Sequence, residues 1–164
     1  MTETLVLLDN TVLSNFSAVQ QPGLAIEACP GRACTTEATL AEYLAATEGE
    51  RFAENAWRDL PIIDLTDREK QVAEAFPASL GAGERTCLAV AVARRSIFAS
   101  DDLRARRVAE RHGAKTAGTV GLLVMAIEAR LVSLDQAEAL LIAMIAAGYR
   151  SPVENLDALL EADR

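Results

Sequence analysis

Short apolar runs, separated by segments of helical character, constrain the fold of this chain more than any other feature. The first run, residues 4–8, ends abruptly at Asp9. A run this short and this apolar is typical of a buried strand. The later runs are residues 33–35, 61–65, 96–99 and 115–117. Strands that alternate with helices in this way predict an α/β fold of three layers, α/β/α, with a mostly parallel central sheet.

Helix start and stop signals fill the segments between these runs. Three capping boxes, Thr66-x-x-Glu69, Ser133-x-x-Gln136 and Ser151-x-x-Glu154, each predict the beginning of a helix. Further helices are predicted for residues 11–19, 24–28, 37–47 with a continuation to 59, 84–95, 103–112, and from 118 onward. We find no internal repeat and no linker, so a single domain over residues 1–164 is expected.

The composition is that of a globular chain, with 51% hydrophobic and 24% charged residues, which excludes a disordered or collagen-like protein. No run of about 18 uncharged apolar residues is present, and the first residues lack the basic segment of a secretion signal. We therefore expect no membrane association.

The odd count of three cysteines favours a reducing compartment, so a cytoplasmic protein is expected. Cys29 and Cys34 would supply half of a zinc site, but no second ligand pair follows them.

Several acidic residues are predicted to meet at one edge of the sheet. Asp9 follows the first strand, Asp101 and Asp102 follow the strand at 96–99, and Glu84 starts the helix before that strand. Parallel α/β sheets bind ligands outside the carboxyl ends of their strands, so neighbouring strands would bring these carboxylates into one crevice. Such a cluster persists only if a cation neutralises it or one member holds a proton. Oxygen-only ligands suit Mg²⁺ or Mn²⁺, and a crevice that holds such ions is typical of phosphodiester hydrolysis.

A purely structural role would also explain most of these acids individually. Asp101 and Asp102 are suitable helix caps, and Glu84 lies where a helix dipole favours an acid. Glu42, in the middle of a predicted helix, would by itself be a solvated residue. Asp9 is harder to explain by a structural role, because a charged group at the end of a buried strand is costly unless a partner compensates for its burial.

Five motifs follow one another along the chain: Leu7-Leu8-Asp9-Asn10-Thr11-Val12-Leu13, Leu40-Ala41-Glu42-Tyr43-Leu44, Gly83-Glu84-x-x-x-Leu88-Ala89-x-Ala91, Ser100-Asp101-Asp102-x-x-Ala105-Arg106 and Ala117-Gly118-Thr119-Val120-Gly121-Leu122-Leu123. Together they span about residues 4 to 132. In combination, the motifs resemble the PIN-domain family of metal-dependent nucleases, which includes the VapC-type toxins of bacterial toxin–antitoxin pairs. The last segments look more like a less characterised branch of the family than like the best-studied toxins.

The resemblance implies a Mg²⁺- or Mn²⁺-dependent endoribonuclease, the toxin of a toxin–antitoxin pair, acting on RNA. The metal ligands carried over are Asp9, Glu42, Glu84 and Asp102, with Asp101 as the competitor or partner of Asp102. Thr11 matches the hydroxyl position that orients the first aspartate, and Ser100 stands at the hydroxyl position of the fourth motif. A small antitoxin that inserts an arginine or lysine into the pocket is the implied protein partner, and relatives often form homodimers.

The basic residues are unevenly distributed. A net charge of −8 argues against a nucleic-acid surface, yet seven of the sixteen Lys and Arg residues fall between positions 94 and 115. Arg104, Arg107 and Arg111 form one stripe of a predicted helix, which is either a phosphate track or an ordinary solvated face. His112 at the end of that helix is expected to act as a cap. The apolar face of the helix at 134–147 indicates core packing or a dimer contact.

Two other classes of function compete with the nuclease. One is a PIN-like module that binds nucleic acid or protein and whose pocket is too imperfect to load a metal. The other is phosphoryl transfer to an aspartate. Receiver domains need an acidic pair after the first strand, and haloacid dehalogenases need Asp-x-Asp, whereas this chain has Asp9-Asn10-Thr11. The order of the acids therefore disfavours the phosphoryl-transfer class.

Overall fold

The computed structural model describes residues 3–162, apart from the side chains of residues 51, 161 and 162. Residues 1, 2, 163 and 164, which the predicted domain includes, lie outside the described residues. The centre is a four-stranded sheet with the order β2-β1-β3-β4. Its strands are β1 (Leu5–Leu8), β2 (Arg32–Cys34), β3 (Ile97–Ala99) and β4 (Lys115–Ala117). All three strand pairs are parallel, which confirms the predicted sheet.

Helices connect the strands and continue beyond the last one. They are α1 (Asn10–Ala18), α2 (Pro22–Ala28), α3 (Glu37–Ala46), α4 (Arg51–Asn55), α5 (Asp67–Ala75), α6 (Ala82–Ala93), α7 (Leu103–Arg111), α8 (Thr119–Glu128), α9 (Leu134–Ala146) and α10 (Asp157–Ala162). The capping boxes at Thr66 and Ser133 are both present and open α5 and α9, as predicted.

Helices cover both faces of the sheet because the side chains of each strand alternate between the faces. Val6 and Leu8 of β1 belong to one apolar core, which includes side chains of α1, α2, α8 and α9. Leu5 and Leu7 belong to a second core, which includes side chains of α5, α6 and α7. The predicted three-layer α/β/α architecture is therefore confirmed. Within residues 3–162, no helix has the length and apolarity needed to cross a membrane.

Residues 61–65 do not form the predicted strand. The structure has only an isolated bridge between Thr35 and Ile62, with one hydrogen bond on each side of it. The bridge lies at Thr35, one residue past the end of β2 at Cys34, so the segment meets only the end of that strand. Ile62 is left 47% exposed at this edge.

Two helix predictions also need correction. The predicted helical continuation to residue 59 is reduced to α4, because Gly49 adopts a left-handed conformation with φ of 86° and interrupts the helix after α3. Ser151-x-x-Glu154 does not open a helix. The Ser151 hydroxyl donates to the carbonyl of Val153 at 2.6 Å and accepts the Val153 amide, which closes a local turn instead. The last helix begins only at Asp157.

The strand order places the acidic residues at a switch point in the topology. From β1 the chain crosses to β2 on one side, and later returns to β3 on the other side of β1. Ligand sites of open α/β sheets form at such a reversal, outside the carboxyl ends of the two strands. Asp9 follows β1 directly, and residues 100–102 follow β3.

A substitution at Gly31 tests the packing that leads into β2. A Cβ atom there would lie 2.1 Å from the carbonyl oxygen of Thr4, which also accepts the amide of Arg32 at 2.9 Å. Backbone atoms cannot move aside without breaking this pairing, so Gly31→Ala is expected to lower the free energy of unfolding by at least about 2 kcal/mol. Gly23→Ala in α2, where a Cβ would have no neighbour within 4 Å, is expected to be neutral or to stabilise by up to about 1 kcal/mol. Urea unfolding of both variants measures this, and equal losses would contradict the described packing.

Candidate metal centre

Asp9 is the most deeply buried of the predicted ligands, with 1% of its surface exposed. The Ser100 hydroxyl donates to its Oδ2 at 2.8 Å, while the Thr11 hydroxyl lies 3.5 Å from the same oxygen, too far for a strong hydrogen bond. Its other oxygen, Oδ1, is buried and has no hydrogen-bond partner among the described residues. Buried carboxylate oxygens normally have a partner, so this atom indicates a missing proton or ligand.

Glu42 reaches the same region from α3. The amide of Gly83, in the first turn of α6, donates to Glu42 Oε1 at 3.0 Å. A Cβ at Gly83 would lie 2.6 Å from Glu42 Oε2, so the glycine allows the helix to approach the carboxylate this closely. The positive end of the α6 dipole also favours an anion at this place.

Glu84, in the first turn of α6, faces Asp102, the residue that caps the start of α7. Glu84 accepts the amide of Gly81 on Oε2 at 3.0 Å. Asp102 caps α7, because its Oδ1 accepts the amides of Arg104 and Ala105 at 2.8 and 3.1 Å. The two carboxyl groups are within hydrogen-bonding range of each other.

The Ser100 hydroxyl connects these two acids to Asp9. It accepts the backbone amide of Asp102 at 3.1 Å while it donates to Asp9 Oδ2 at 2.8 Å. Asp9 and Asp102 therefore bind the same hydroxyl group, which keeps the ends of β1 and β3 in a fixed relation.

A common pattern distinguishes the four acids carried over by resemblance. Each accepts hydrogen bonds from a backbone amide or a hydroxyl on one carboxylate oxygen, and no amide or hydroxyl of the described residues reaches the other, although the carboxyl groups of Glu84 and Asp102 approach each other. The free oxygens are Asp9 Oδ1, Glu42 Oε2, Glu84 Oε1 and Asp102 Oδ2. The four acids thus each keep one oxygen free of amide and hydroxyl donors in one region, and for Asp9 that oxygen is also buried, which is the arrangement expected of ligands.

Asp101 does not share this pattern. Its Oδ1 accepts the Thr119 amide at 2.8 Å and the Tyr149 hydroxyl at 3.3 Å, and its Oδ2 accepts the Asn15 amide at 3.0 Å and the Thr119 hydroxyl. Both oxygens are occupied by the protein itself. The geometry therefore favours Asp102 over Asp101, a choice that the sequence left open.

Burial and like charges raise the affinity of the centre for protons. Burial raises the pKa of Asp9 from 3.8 to about 6, with smaller contributions from Glu42 and Asp102. The Ser100 hydroxyl and the nearby Asn10 amide, whose geometry falls short of a full hydrogen bond, partly offset this rise. Burial likewise raises the pKa of Glu84 from 4.5 to about 7, and the charges of Asp9 and Asp102 add to it. The cluster thus holds a proton or needs a cation near neutral pH.

The acids converge without enclosing a preformed cage. Among residues 3–162, no three or more His, Cys, Asp or Glu side chains already lie close enough to hold one ion. The donor atoms are all carboxylate oxygens, which suit Mg²⁺ or Mn²⁺.

The remaining predicted residues lie around the centre. Thr11 accepts the amide of Asp101 at 2.9 Å, so its main contact is with the turn after β3. The side chains of Arg104, Arg107 and Arg111 are exposed, and none makes an ion pair with the acids in the described structure. His112 ends α7, and its Nδ1 lies 2.8 Å from the carbonyl of Val108.

Sequence reasoning missed the residues that hold Asp101. Asn15, Thr119 and Tyr149 come from α1, α8 and the segment after α9, and no spacing rule connects such distant positions. Thr119 lies within the last PIN-like motif, which is the one signal that was available. The part played by Gly83 in admitting Glu42 also required the structure.

The raised pKa of Asp9 predicts how stability depends on pH without metal. The folded state binds this proton more tightly than the unfolded chain, so the stabilisation is complete below about pH 4 and is lost as pH rises through about 6. In EDTA, wild type is expected to lose roughly 2 kcal/mol of unfolding free energy relative to Asp9→Asn between about pH 4.5 and 7.5. Denaturant unfolding across this range measures it, with the exposed Asp59→Asn as control. Parallel pH profiles for wild type and Asp9→Asn would contradict the raised pKa.

The comparison with known families agrees with this geometry. A family model described as a PIN domain matches residues 5–163. No curated protein matches the chain. The match includes every strand of the sheet and all four acids with a free oxygen. The chain therefore belongs to the PIN-domain family.

Proposed function

We propose that the chain is a Mg²⁺- or Mn²⁺-dependent endoribonuclease that hydrolyses phosphodiester bonds with a metal-activated water. PIN domains are generally nucleases and generally use divalent metal ions. The observation that carries the proposal for this chain is Asp9 Oδ1, a buried carboxylate oxygen without a partner, in a cluster whose other members also keep one oxygen free.

Asp9, Glu42, Glu84 and Asp102 would hold the cation, because their free oxygens form a hard, oxygen-only donor set. When bound, a divalent cation activates the attacking water and stabilises the leaving oxygen. Cation binding would displace the protons that the raised pKa values of Asp9 and Glu84 favour, so metal affinity should increase with pH.

The protein's own contribution is to fix the acids and to position the phosphate. Ser100 binds one oxygen of Asp9 and leaves the other free, and the amides of Gly81 and Gly83 do the same for Glu84 and Glu42. The positive dipole ends of α6 and α7 lie at the cluster and favour an anionic substrate.

The exposed stripe of Arg104, Arg107 and Arg111 is proposed to bind further phosphates of the RNA, because it lies on the helix that Asp102 begins. Arg104 already donates to the carbonyl of Ser79 at 3.2 Å, so Arg107 and Arg111 are the freer pair.

Removal of one ligand charge tests the reaction. Asp9→Asn is expected to reduce Mn²⁺-dependent cleavage of single-stranded RNA by at least about a hundredfold. The fold should be retained, because asparagine is isosteric and its amide oxygen can still accept the Ser100 hydroxyl. Cleavage rates and circular dichroism of Asp9→Asn and of the exposed control Asp59→Asn measure both effects. Unchanged cleavage by Asp9→Asn would refute the assignment of the site.

A non-enzymatic binding module is the second candidate, favoured by the absence of a preformed three-ligand set among the described residues and by the net charge of −8. Calorimetric titration with Mn²⁺ separates the two. The nuclease proposal expects binding that weakens as pH falls through the pKa values of Asp9 and Glu84, near 6 and 7. No binding at millimolar Mn²⁺ would support the module.

The partners proposed for this nuclease are a small antitoxin and a second copy of the chain. An arginine or lysine inserted among the free carboxylate oxygens would neutralise them and block the centre. Growth arrest on expression, relieved by the product of a neighbouring gene, would support the toxin role, and harmless expression would count against it.

The exposed Ile142 and Ile145 of α9 are the proposed dimer contact, which the molecular mass in solution tests.

A further inference from the structure

Buried polar groups lie in the contact between α3 and α6, the helices that carry Glu42 and Glu84. They are the hydroxyls of Thr36 and Thr39 and the thiol of Cys87, residues that are each at most 1% exposed. Burying a hydroxyl costs free energy unless it is hydrogen-bonded, so apolar residues would be the simpler way to pack two helices. A polar contact at this place therefore indicates a role beyond packing.

Thr39 is at the centre of this polar contact. Its Oγ1 lies 3.0 Å from the hydroxyl oxygen of Thr36 and 3.2 Å from the sulfur of Cys87. Thr36 caps α3, because its Oγ1 accepts the amide of Thr39 at 3.3 Å, and the same oxygen lies 2.8 Å from the hydroxyl of Thr86 on α6. The Thr39 hydroxyl therefore takes part both in the start of α3 and in the contact of α3 with α6.

The same threonine lies against the backbone that binds Glu42. A Cβ at Gly83 would lie 2.9 Å from Thr39 Oγ1 and 3.0 Å from Thr39 Cα, so the first turn of α6 packs directly on this residue. Gly83 donates its amide to Glu42 Oε1 at 3.0 Å, and the residue after Gly83 is Glu84. Thr39 precedes Glu42 by three residues, so both lie on one side of α3. The contact at Thr39 therefore influences how closely Glu42 and Glu84 approach.

The polar contact also reaches the backbone next to Asp9. The sulfur of Cys87 lies 4.0 Å from the carbonyl oxygen of Leu8, the last residue of β1. The hydroxyl of Thr35 donates to the same carbonyl at 2.7 Å, so the thiol makes the weaker of the two contacts there. Thr39, Cys87 and Leu8 thus form a buried connection from α3 to the residue before Asp9.

We propose that Thr39 is a positioning residue of the metal centre, whose hydroxyl holds α3 and α6 at the separation that Glu42 and Glu84 need to bind cations together. The proposal rests on the proposed nuclease function and adds an uncharged residue that is not itself a ligand. Metal ligands must be held within about 0.5 Å of their productive geometry, so a small shift between two helices is enough to weaken binding. Valine has nearly the shape of threonine but cannot form a hydrogen bond, so Thr39→Val leaves Thr36 and Cys87 without this partner.

Calorimetric titration with Mn²⁺, at a temperature where every variant is folded, tests the proposal. We expect Thr39→Val to raise the dissociation constant of Mn²⁺ by about tenfold, the lower end of the effect that residues supporting metal ligands usually have. Thr39→Ser, which keeps the hydroxyl, should stay within about twofold of wild type. If Thr39→Val does not fold, Thr39→Ala removes the hydroxyl without a second methyl group against Gly83, and the same loss of affinity is expected.

Ser96→Ala is the matched control for the loss of a buried hydroxyl. Ser96 is 2% exposed, and its Oγ accepts the amide of Leu5 at 3.2 Å at the amino end of the sheet, opposite to the acids. This variant should lose stability as Thr39→Val does, but its Mn²⁺ affinity should stay within about twofold of wild type. Wild-type Mn²⁺ affinity in Thr39→Val, or an equal loss of affinity in Ser96→Ala, would overturn the proposal.

Amide hydrogen exchange, measured by NMR on the metal-free protein, separates this proposal from the nuclease function. In the described part of the chain, the Gly83 amide donates only to Glu42, so its exchange rate reports the contact between the two helices. Thr39→Val should speed exchange at Gly83 by at least about fivefold, toward the rate in Glu42→Ala, and Ser96→Ala should not. If wild type binds no Mn²⁺, the nuclease proposal fails, while unchanged exchange at Gly83 in Thr39→Val would still overturn the positioning role.

Discussion

The hydrogen bond from Ser100 to Asp9 is the contact on which the rest of the site depends. It joins the carboxyl ends of β1 and β3 at 2.8 Å and takes one of the two oxygens of a buried aspartate. The same hydroxyl accepts the amide of Asp102, so one side chain sets the relation between two of the acids. What remains is a buried oxygen without a donor among the described residues, and that atom supports a cation site more strongly than the number of acids does.

The different roles of Asp101 and Asp102 follow from the extended backbone at the end of β3. Successive side chains of an extended segment point to opposite sides. Ser100 and Asp102 therefore point toward Asp9 and Glu84, while Asp101 points toward α8 and Tyr149. The hydrogen bonds of Asp101 hold the turn from which Ser100 and Asp102 reach the acidic cluster. The cluster itself opposes folding, because raised carboxyl pKa values mean that ionisation destabilises the native state, and a bound cation would reverse this effect.

Much of the fold and several residues of the candidate site could be predicted from local patterns. The apolar run that stops at Asp9, the capping box at Thr66 and the acids after residue 99 depend on a few neighbouring residues, and the parallel sheet followed from the alternation of strands and helices. The segment at 61–65 has the composition of a strand, but it forms only one bridge, to Thr35 just past the end of β2, and no local signal shows that. The contacts of Asp101 with Asn15, Thr119 and Tyr149 join distant parts of the chain, and the choice between two adjacent aspartates needed all of them.

The most direct test of the central claim is a crystal structure of the protein soaked in Mn²⁺, with the ion located by its anomalous scattering. We expect an ion bound to Asp9 Oδ1 together with free oxygens of Asp102, Glu84 or Glu42, while Asp101 keeps its hydrogen bonds to Thr119 and Asn15. An ion bound to Asp101 instead, or none at Asp9 when the crystal is saturated with Mn²⁺, would contradict it.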